Sequence, residues 1–178
     1  MGLKLVRAIA GLCVATLASA AIAQDQDEST NRVGAKTDWS VFVEDAPKEC
    51  WGVSAPKESV NSRDGRVVAV RRGDILLMVF YRPEDGVAGQ VTFTGGYPFA
   101  DGSTVTLNIS GTEFEMFTEG EWAWANKADE DAKIIAAMKR GSEAILTARS
   151  SRGTKTQDTF SLLGFTAAIE DAEKRCSG

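Results

Sequence analysis

The order of hydrophobic and polar residues predicts a series of short β-strands between residues 39 and 162. Residues 75–81 form a continuous apolar run, which is typical of a strand buried on both faces. Val105, Leu107 and Ile109 alternate with polar residues, so their side chains share one face of a strand. Similar patterns predict further strands over residues 39–43, 66–72, 91–94, 113–116, 143–149 and 156–162.

Two segments carry the signals of helices. Residues 128–140 have three acidic residues in the first turn and two basic residues in the last, and Gly141 follows. That order of charge suits the helix dipole, and glycine is favoured just beyond a helix end. A second helix is predicted over residues 166–175. Many strands with few helices predict a mainly β domain, an antiparallel, immunoglobulin-like β-sandwich with one or two peripheral helices.

Residues 1–23 have the three parts of a secretory signal peptide. Lys4 and Arg7 precede an apolar stretch over residues 8–21, and Ala23 ends a small-x-small cleavage site. The apolar stretch is shorter than the roughly 20 residues that cross a bilayer, so we expect cleavage after Ala23 and no transmembrane helix thereafter. A retained N-terminal anchor is the alternative. The mature protein is then periplasmic, outer-membrane-associated or secreted.

The remaining chain divides into a leader and one domain. Residues 24–37 are polar and predict a flexible leader, whereas residues 38–178 predict a single domain. Removal of the signal peptide leaves two cysteines, Cys50 and Cys176. An even number of cysteines in an exported chain predicts a disulfide, with two free buried thiols as the alternative.

The composition excludes several classes of active site. The chain has no histidine, which excludes Ser-His-Asp and Cys-His catalytic systems and histidine metal ligands. The formal net charge of -5 argues against nucleic-acid binding. Glu113 and Glu115 lie two apart on a predicted strand, so we expect both to face solvent rather than to form a glycosidase-like pair. We therefore expect no catalytic residue, no metal and no cofactor.

Two pairs of residues are candidates for a binding surface. Trp122 and Trp124 flank Ala123, so both rings point to the same side of a strand, where they either fill the core or form a platform for a ligand. Arg149 and Arg152 belong to a basic, polar segment between two predicted strands. This segment is either an exposed hairpin turn or an anion site that uses backbone N–H groups and guanidinium groups.

The tripeptide Arg72-Gly73-Asp74 is the sequence that many adhesive ligands present to integrins. It lies between two predicted strands, where a Gly-Asp pair is also common in turns. We therefore predict that the tripeptide forms a hairpin turn and is not a receptor-binding site.

The C-terminal third carries a recognisable pattern. It comprises Gly153-Thr154, Asp158-Thr159-Phe160-Ser161-Leu162, Gly164-Phe165-Thr166-Ala167-Ala168 and Cys176. Over residues 39–176 the sequence resembles the invasion-associated locus B family. The resemblance implies an exported, alphaproteobacterial protein with a sandwich-like domain. The best-known relatives are associated with bacterial entry into host cells, and the family has no established catalytic residues.

The sequence and the resemblance together predict a non-enzymatic cell-envelope protein that acts by binding an envelope or host protein. A periplasmic small-ligand-binding module is the alternative, and a carboxylate-dependent hydrolase is less favoured. The surroundings of Trp122 and Trp124 distinguish the first two. A closed apolar pocket favours a small ligand, whereas a flat exposed patch favours a protein partner.

Overall fold

The computed structural model describes residues 31–177. In this part of the chain, twelve strands form one antiparallel sheet: β1 Arg32–Lys36, β2 Trp39–Asp45, β3 Lys48–Ser54, β4 Glu58–Arg63, β5 Arg66–Val67, β6 Leu76–Arg82, β7 Val87–Thr94, β8 Thr104–Ile109, β9 Thr112–Glu119, β10 Trp122–Ala125, β11 Glu143–Arg149 and β12 Lys155–Ser161. The two α-helices are α1, Ala128–Met138, and α2, Phe165–Cys176. The predicted mainly β, antiparallel fold with two helices is confirmed.

The sheet folds over itself to give two layers. Its strands are hydrogen-bonded in the order β1-β2-β3-β6-β7-β10-β9-β8-β11-β12-β4-β5. β3 and β4 are far apart in this order, yet only residues 55–57 connect them. A link of this length spans at most about 14 Å, which is enough to cross the distance of about 10 Å between packed sheets. The two ends of the sheet therefore face each other, as in a sandwich.

The hydrophobic core lies between the two layers. Phe93 on β7 and Phe160 on β12 meet edge to face, with 6.2 Å between their ring centroids, and both are fully buried. At one end of the core, the Trp39 indole N–H donates a hydrogen bond of 3.0 Å to the backbone carbonyl oxygen of Ser161. These contacts join strands that are not neighbours in the sheet, so one core stabilises both layers.

Helix α2 packs against β2 and β3 and is bonded covalently to the sheet. The ring of Phe165 lies 4.9 Å from that of Trp39. A Cβ atom at Gly52 would lie 2.6 Å from Ile169 Cδ1, so the glycine leaves space for the helix. At the other end of α2, a disulfide joins Cys176 to Cys50, with 5.8 Å between the Cα atoms. The predicted bond between the start and the end of the domain is present in the structure.

Two predicted boundaries are wrong. Residues 32–36 were expected in a flexible leader, but they form β1, which pairs with β2. An edge strand is held by backbone hydrogen bonds, which need no apolar side chains. Of the strand predicted over residues 66–72, only Arg66–Val67 pairs, with β4, because the chain then leaves the sheet and carries Arg72 into the interior.

The predicted signal peptide and most of the predicted leader lie outside the described residues. Neither helix between residues 31 and 177 is both long enough and apolar enough to cross a membrane.

Candidate functional site

The two tryptophans of β10 lie on the outside of the sheet. Ala123 and Ala125 point into the core, with 0% and 7% of their surface exposed, so the alternate residues Trp122 and Trp124 point outwards. Trp122 is 42% exposed, and Trp124 is half-buried. The expectation that both rings fill the core is therefore wrong.

Other aromatic side chains continue this surface across neighbouring strands. The rings of Phe42 and Trp51 stack with 5.4 Å between their centroids, and the centroids of the Trp51 and Phe80 rings are 5.9 Å apart. On the far side of β7, Phe117 lies 5.3 Å from Trp124. We call the whole group the outer aromatic face: Phe42, Trp51, Phe80, Phe117, Trp122 and Trp124. Aromatic pairs opposite each other on adjacent strands contribute about 0.2–1 kcal/mol each, so part of this arrangement stabilises the sheet.

The middle of the outer aromatic face is a shallow depression that contains one arginine, Arg82. Trp122 and Trp124 border an open depression of about 280 Å³ together with Phe80 and Arg82. The Arg82 guanidinium lies 4.5 Å from the centroid of the Phe80 ring and also pairs with Glu49. The rings thus form an exposed patch and not a closed apolar pocket.

A buried ion pair fixes the loop between β5 and β6. The side chains of Arg72 and Asp158 are 6% and 0% exposed. Arg72 Nη1 and Nη2 donate hydrogen bonds of 2.8 and 2.6 Å to the two carboxylate oxygens. Ser59 donates a further bond to Asp158, and Arg72 Nε donates to the backbone oxygen of Gly95. This arrangement is a bidentate pair, which is geometrically specific as well as strong.

The ion pair changes the interpretation of Arg72-Gly73-Asp74. The tripeptide lies in the irregular link over residues 68–75 and not in the predicted hairpin turn. Gly73 donates its N–H to Gly96 O, which holds the link against the loop after β7. Because the arginine is buried and fully engaged, the tripeptide is not presented as an adhesive ligand would present it.

A second surface, which we call the arginine cleft, lies beside this ion pair. It has a volume of about 490 Å³. Its charged and aromatic lining residues are Arg63, Arg71, Arg72, Arg152, Glu121 and Tyr97. Arg63 and Arg152 also border an adjacent depression of about 550 Å³, which contains Arg149 and Lys155. The structure therefore brings the predicted residues Arg149 and Arg152 together with arginines from the β4–β6 region, but not with the tryptophans.

The turn that carries Arg152 does not offer its backbone to an anion. The N–H groups of Ser150 and Gly153 donate to Thr154 O and Ser150 O, and Ser151 N–H donates to Pro98 O. Thr154 N–H donates to Ser150 Oγ. The prediction of an anion site that uses backbone N–H groups here is wrong for these four groups, because each already donates to a protein acceptor. Guanidinium groups remain as donors.

Burial keeps the cleft tyrosine neutral. The Tyr97 hydroxyl bonds to Thr156, and burial raises the pKa of this tyrosine above its usual value despite the nearby Arg72 guanidinium. The ring lies under Arg72, with 5.0 Å between the guanidinium carbon and the ring centroid. Tyr97 therefore adds no negative charge to the cleft at neutral pH.

Like Asp158, Asp131 is a buried acidic residue whose role the sequence did not predict. It is buried at the start of α1, where its Oδ1 accepts a 2.7 Å hydrogen bond from Val91 N–H. Burial raises the pKa of this carboxyl group, although the hydrogen bond opposes the change. Glu113 and Glu115 face solvent, as predicted. Residues 31–177 contain no group of three or more Cys, Asp or Glu side chains placed to hold a metal ion.

Comparisons with known proteins identify the family but add no site residues. The crystal structure of invasion associated protein B from Bartonella henselae is similar, with a TM-score of 0.57 and 15% sequence identity. The match covers 82% of this chain and 98% of that one, and at this identity it supports the fold alone. No curated protein matches the sequence. The family model described as invasion associated locus B (IalB) protein matches residues 39–173. The chain therefore belongs to the invasion associated locus B family.

Proposed function

We propose that this protein is exported to the cell envelope and acts there, without catalysis, by binding a partner protein through the outer aromatic face. The observation that carries this proposal is the exposure of Trp122 and Phe117, at 42% and 43%, beside four further aromatic rings. Tryptophan and other aromatic residues are enriched in protein interfaces, where they contribute most of the binding energy.

The shape of the outer aromatic face favours a protein over a small ligand. Small-molecule sites are concave and bury most of the ligand, whereas this face is spread along several strands. The depressions of about 280 Å³ beside Trp122 and of about 500 Å³ beside Phe117 and Trp124 are both open to solvent. An exposed group of large apolar side chains bordered by polar residues is typical of a protein interaction site. This observation supports a protein partner over a small ligand.

The charges around the outer aromatic face favour a partner with basic residues. Glu115 and Glu119 are exposed on β9, the strand that also carries Phe117. Arg82 already stacks on Phe80, which illustrates how a cation binds to these rings. Arginine and lysine side chains of a partner would find exposed rings at Trp122 and Trp124 and carboxylates at the border.

The proposed location rests on residues 1–23 and on the disulfide. A signal peptide directs the chain out of the cytoplasm, and disulfides persist in oxidising compartments such as the periplasm. N-terminal sequencing of the periplasmic fraction tests this part: the mature protein is expected to begin at Gln24. An intact Met1 in that fraction would contradict cleavage.

Site-specific photocrosslinking in intact cells tests the binding surface. A photoreactive phenylalanine derivative replaces Trp122, so that one exposed aromatic ring substitutes for another. The matched control places the same group at Leu163, which is 61% exposed and lies two residues beyond the end of β12. We expect one discrete adduct from position 122 and none of the same mass from position 163.

Two further measurements make the crosslinking result decisive. The adduct from position 122 should disappear when Trp124 is replaced by alanine, provided that the variant keeps the urea midpoint of a folded protein. The purified partner should bind more weakly as salt increases, because the proposed contact includes charges. Equal adducts from both positions, or an adduct that survives the loss of Trp124, would show that this surface is not the interface.

A further inference from the structure

The arginine cleft has more positive charge than its own acidic residues neutralise. The ionisable residues other than tyrosine that line it are Arg63, Arg71, Arg72, Arg152 and Glu121. Asp158 neutralises Arg72 from within the fold. Four arginines against these two carboxylates leave an excess of two positive charges, in a chain whose formal net charge is -5. A concentration of positive charge in an acidic protein points to an anionic ligand.

Three of the arginines have donors available for such a ligand. Within residues 31–177, Arg63, Arg71 and Arg152 form no ion pair. Arg63 is positioned by a 2.8 Å hydrogen bond from Nη2 to Thr154 Oγ1, and its other N–H groups have no acceptor among the described residues. Guanidinium groups bind phosphate and carboxylate through two parallel N–H bonds, so three of them around one cleft can surround an oxyanion.

The arginines of the cleft differ in whether the protein itself already binds them. Arg72 is fully engaged by Asp158, Gly95 and Asn61, so it serves to position the link over residues 68–75 and not to bind the ligand. Arg71, its neighbour in the chain, is exposed on that link. Arg152 approaches from the opposite turn. The buried ion pair thereby holds one wall of the cleft in place.

We propose that the arginine cleft binds a phosphomonoester. A phosphomonoester carries a charge of about -1.5 to -2 near neutral pH, which matches the excess charge of the cleft, whereas a single carboxylate does not. The volume of about 490 Å³ is within the range of small-molecule sites and exceeds the need of phosphate alone. Val70, Pro98 and Tyr97 line the rest of the cleft and would contact the organic part of the ligand. This binding is separate from the proposed protein partner.

A phosphomonoester in the cell envelope has two sources, a soluble metabolite and the headgroup of a lipid. Glycerol 3-phosphate is the probe for the first, with titration followed by calorimetry at low salt. Phosphatidylcholine vesicles that contain phosphatidic acid are the probe for the second, with binding followed by co-sedimentation. Both probes present the same phosphate group. Succinate, which carries two carboxylates, serves as the comparison for the chemistry of the anion.

Arginine substitutions at the cleft provide the specific readout. Arg152→Ala and Arg71→Ala remove exposed side chains, so both variants should fold, and each should weaken binding about tenfold through the loss of charged hydrogen bonds. The matched control is Arg140→Ala, which removes an exposed arginine just after α1 and outside the cleft. It should leave the affinity unchanged.

Each outcome decides the proposal. Glycerol 3-phosphate binding that depends on Arg71 and Arg152 supports a soluble ligand, and the same dependence seen only with vesicles supports a lipid headgroup. The proposal is overturned if neither probe binds or if succinate binds as tightly as glycerol 3-phosphate. An equal loss of affinity in Arg140→Ala would also overturn it, because binding would then follow total charge and not the cleft.

Discussion

Replacement of Asp158 by asparagine should destabilise the protein strongly, although the two side chains have almost the same shape. The change removes the only carboxylate that pairs with Arg72 within the described residues and leaves a guanidinium whose side chain is 6% exposed. Loss of one partner from a buried pair costs about 3–5 kcal/mol, because the other charge remains buried and uncompensated. The asparagine oxygen can still accept one hydrogen bond, from Arg72 or Ser59, so we expect about 3 kcal/mol.

Urea unfolding followed by tryptophan fluorescence, with the disulfide intact, measures this loss of unfolding free energy. The matched control is Asp45→Asn, the same chemical change in the pair with Lys48, where the aspartate side chain is 85% exposed. Exposed pairs contribute about 0–1 kcal/mol, so the control should differ little from the unaltered protein. The m-values should agree, since both variants expose the same surface on unfolding.

The reasoning is refuted if Asp158→Asn loses less than about 1 kcal/mol, the upper limit for an exposed pair. A double-mutant cycle with Arg72→Met adds a second criterion. The double variant should lose less than the sum of the two single losses, because it leaves neither charge buried alone. Additive losses would mean that Arg72 and Asp158 stabilise the fold independently of each other.

Two further predictions concern the disulfide and Asp131. Replacement of both Cys50 and Cys176 by alanine should lower the free energy of unfolding by up to about 5 kcal/mol, which is the value that the chain-entropy model gives for a loop of this length. An unchanged urea midpoint would contradict a bond that stabilises the fold. Because the pKa of Asp131 is raised in the folded protein, its contribution to stability falls as pH increases from the ordinary value of 3.8 through the raised pKa. Asp131→Asn, which stays neutral and can still accept the Val91 N–H, should therefore gain stability relative to the unaltered protein as pH rises over the interval from 3.8 to neutral. Asp131→Ala lacks the acceptor and should lose about 1–3 kcal/mol at both ends of this interval. A constant difference between Asp131→Asn and the unaltered protein across this interval would refute the pH argument.

Sequence patterns predicted the strands in which apolar residues occupy the buried positions. β11 occupies the predicted residues 143–149, and its burial alternates from Ala144 to Ala148. β3 and β4 gave no such signal. On β3 burial also alternates, but its buried positions hold Cys50, Gly52 and Ser54. β3 contains Gly52, which is present to accommodate α2, and β4 is a polar strand near the edge of the sheet. These two strands therefore form because of tertiary packing and edge pairing. Neither effect produces a local hydrophobic periodicity in the sequence.

The sequence predicted the candidate surfaces less completely than it predicted the strands, for two physical reasons. Core positions were one of the two alternatives for the tryptophans of β10, because large apolar residues are usually buried, but the small Ala123 and Ala125 face inwards instead. The arginine cleft depends on a pair, Arg72 and Asp158, that lies 86 residues apart in the chain. No local pattern marks such a contact, so only Arg149 and Arg152 could be found from the sequence.

The position of the disulfide also has a consequence for quality control during biogenesis. α2 is made after all twelve described strands, and it supplies both Phe165, which covers Trp39, and the thiol that Cys50 requires. A product that lacks α2 would thus leave an apolar surface uncovered and the Cys50 thiol unpaired. In the proposed oxidising compartment, proteases act on exposed apolar segments and thiol oxidoreductases act on free thiols, so incomplete molecules should be removed selectively while oxidation joins Cys50 to Cys176 in complete ones.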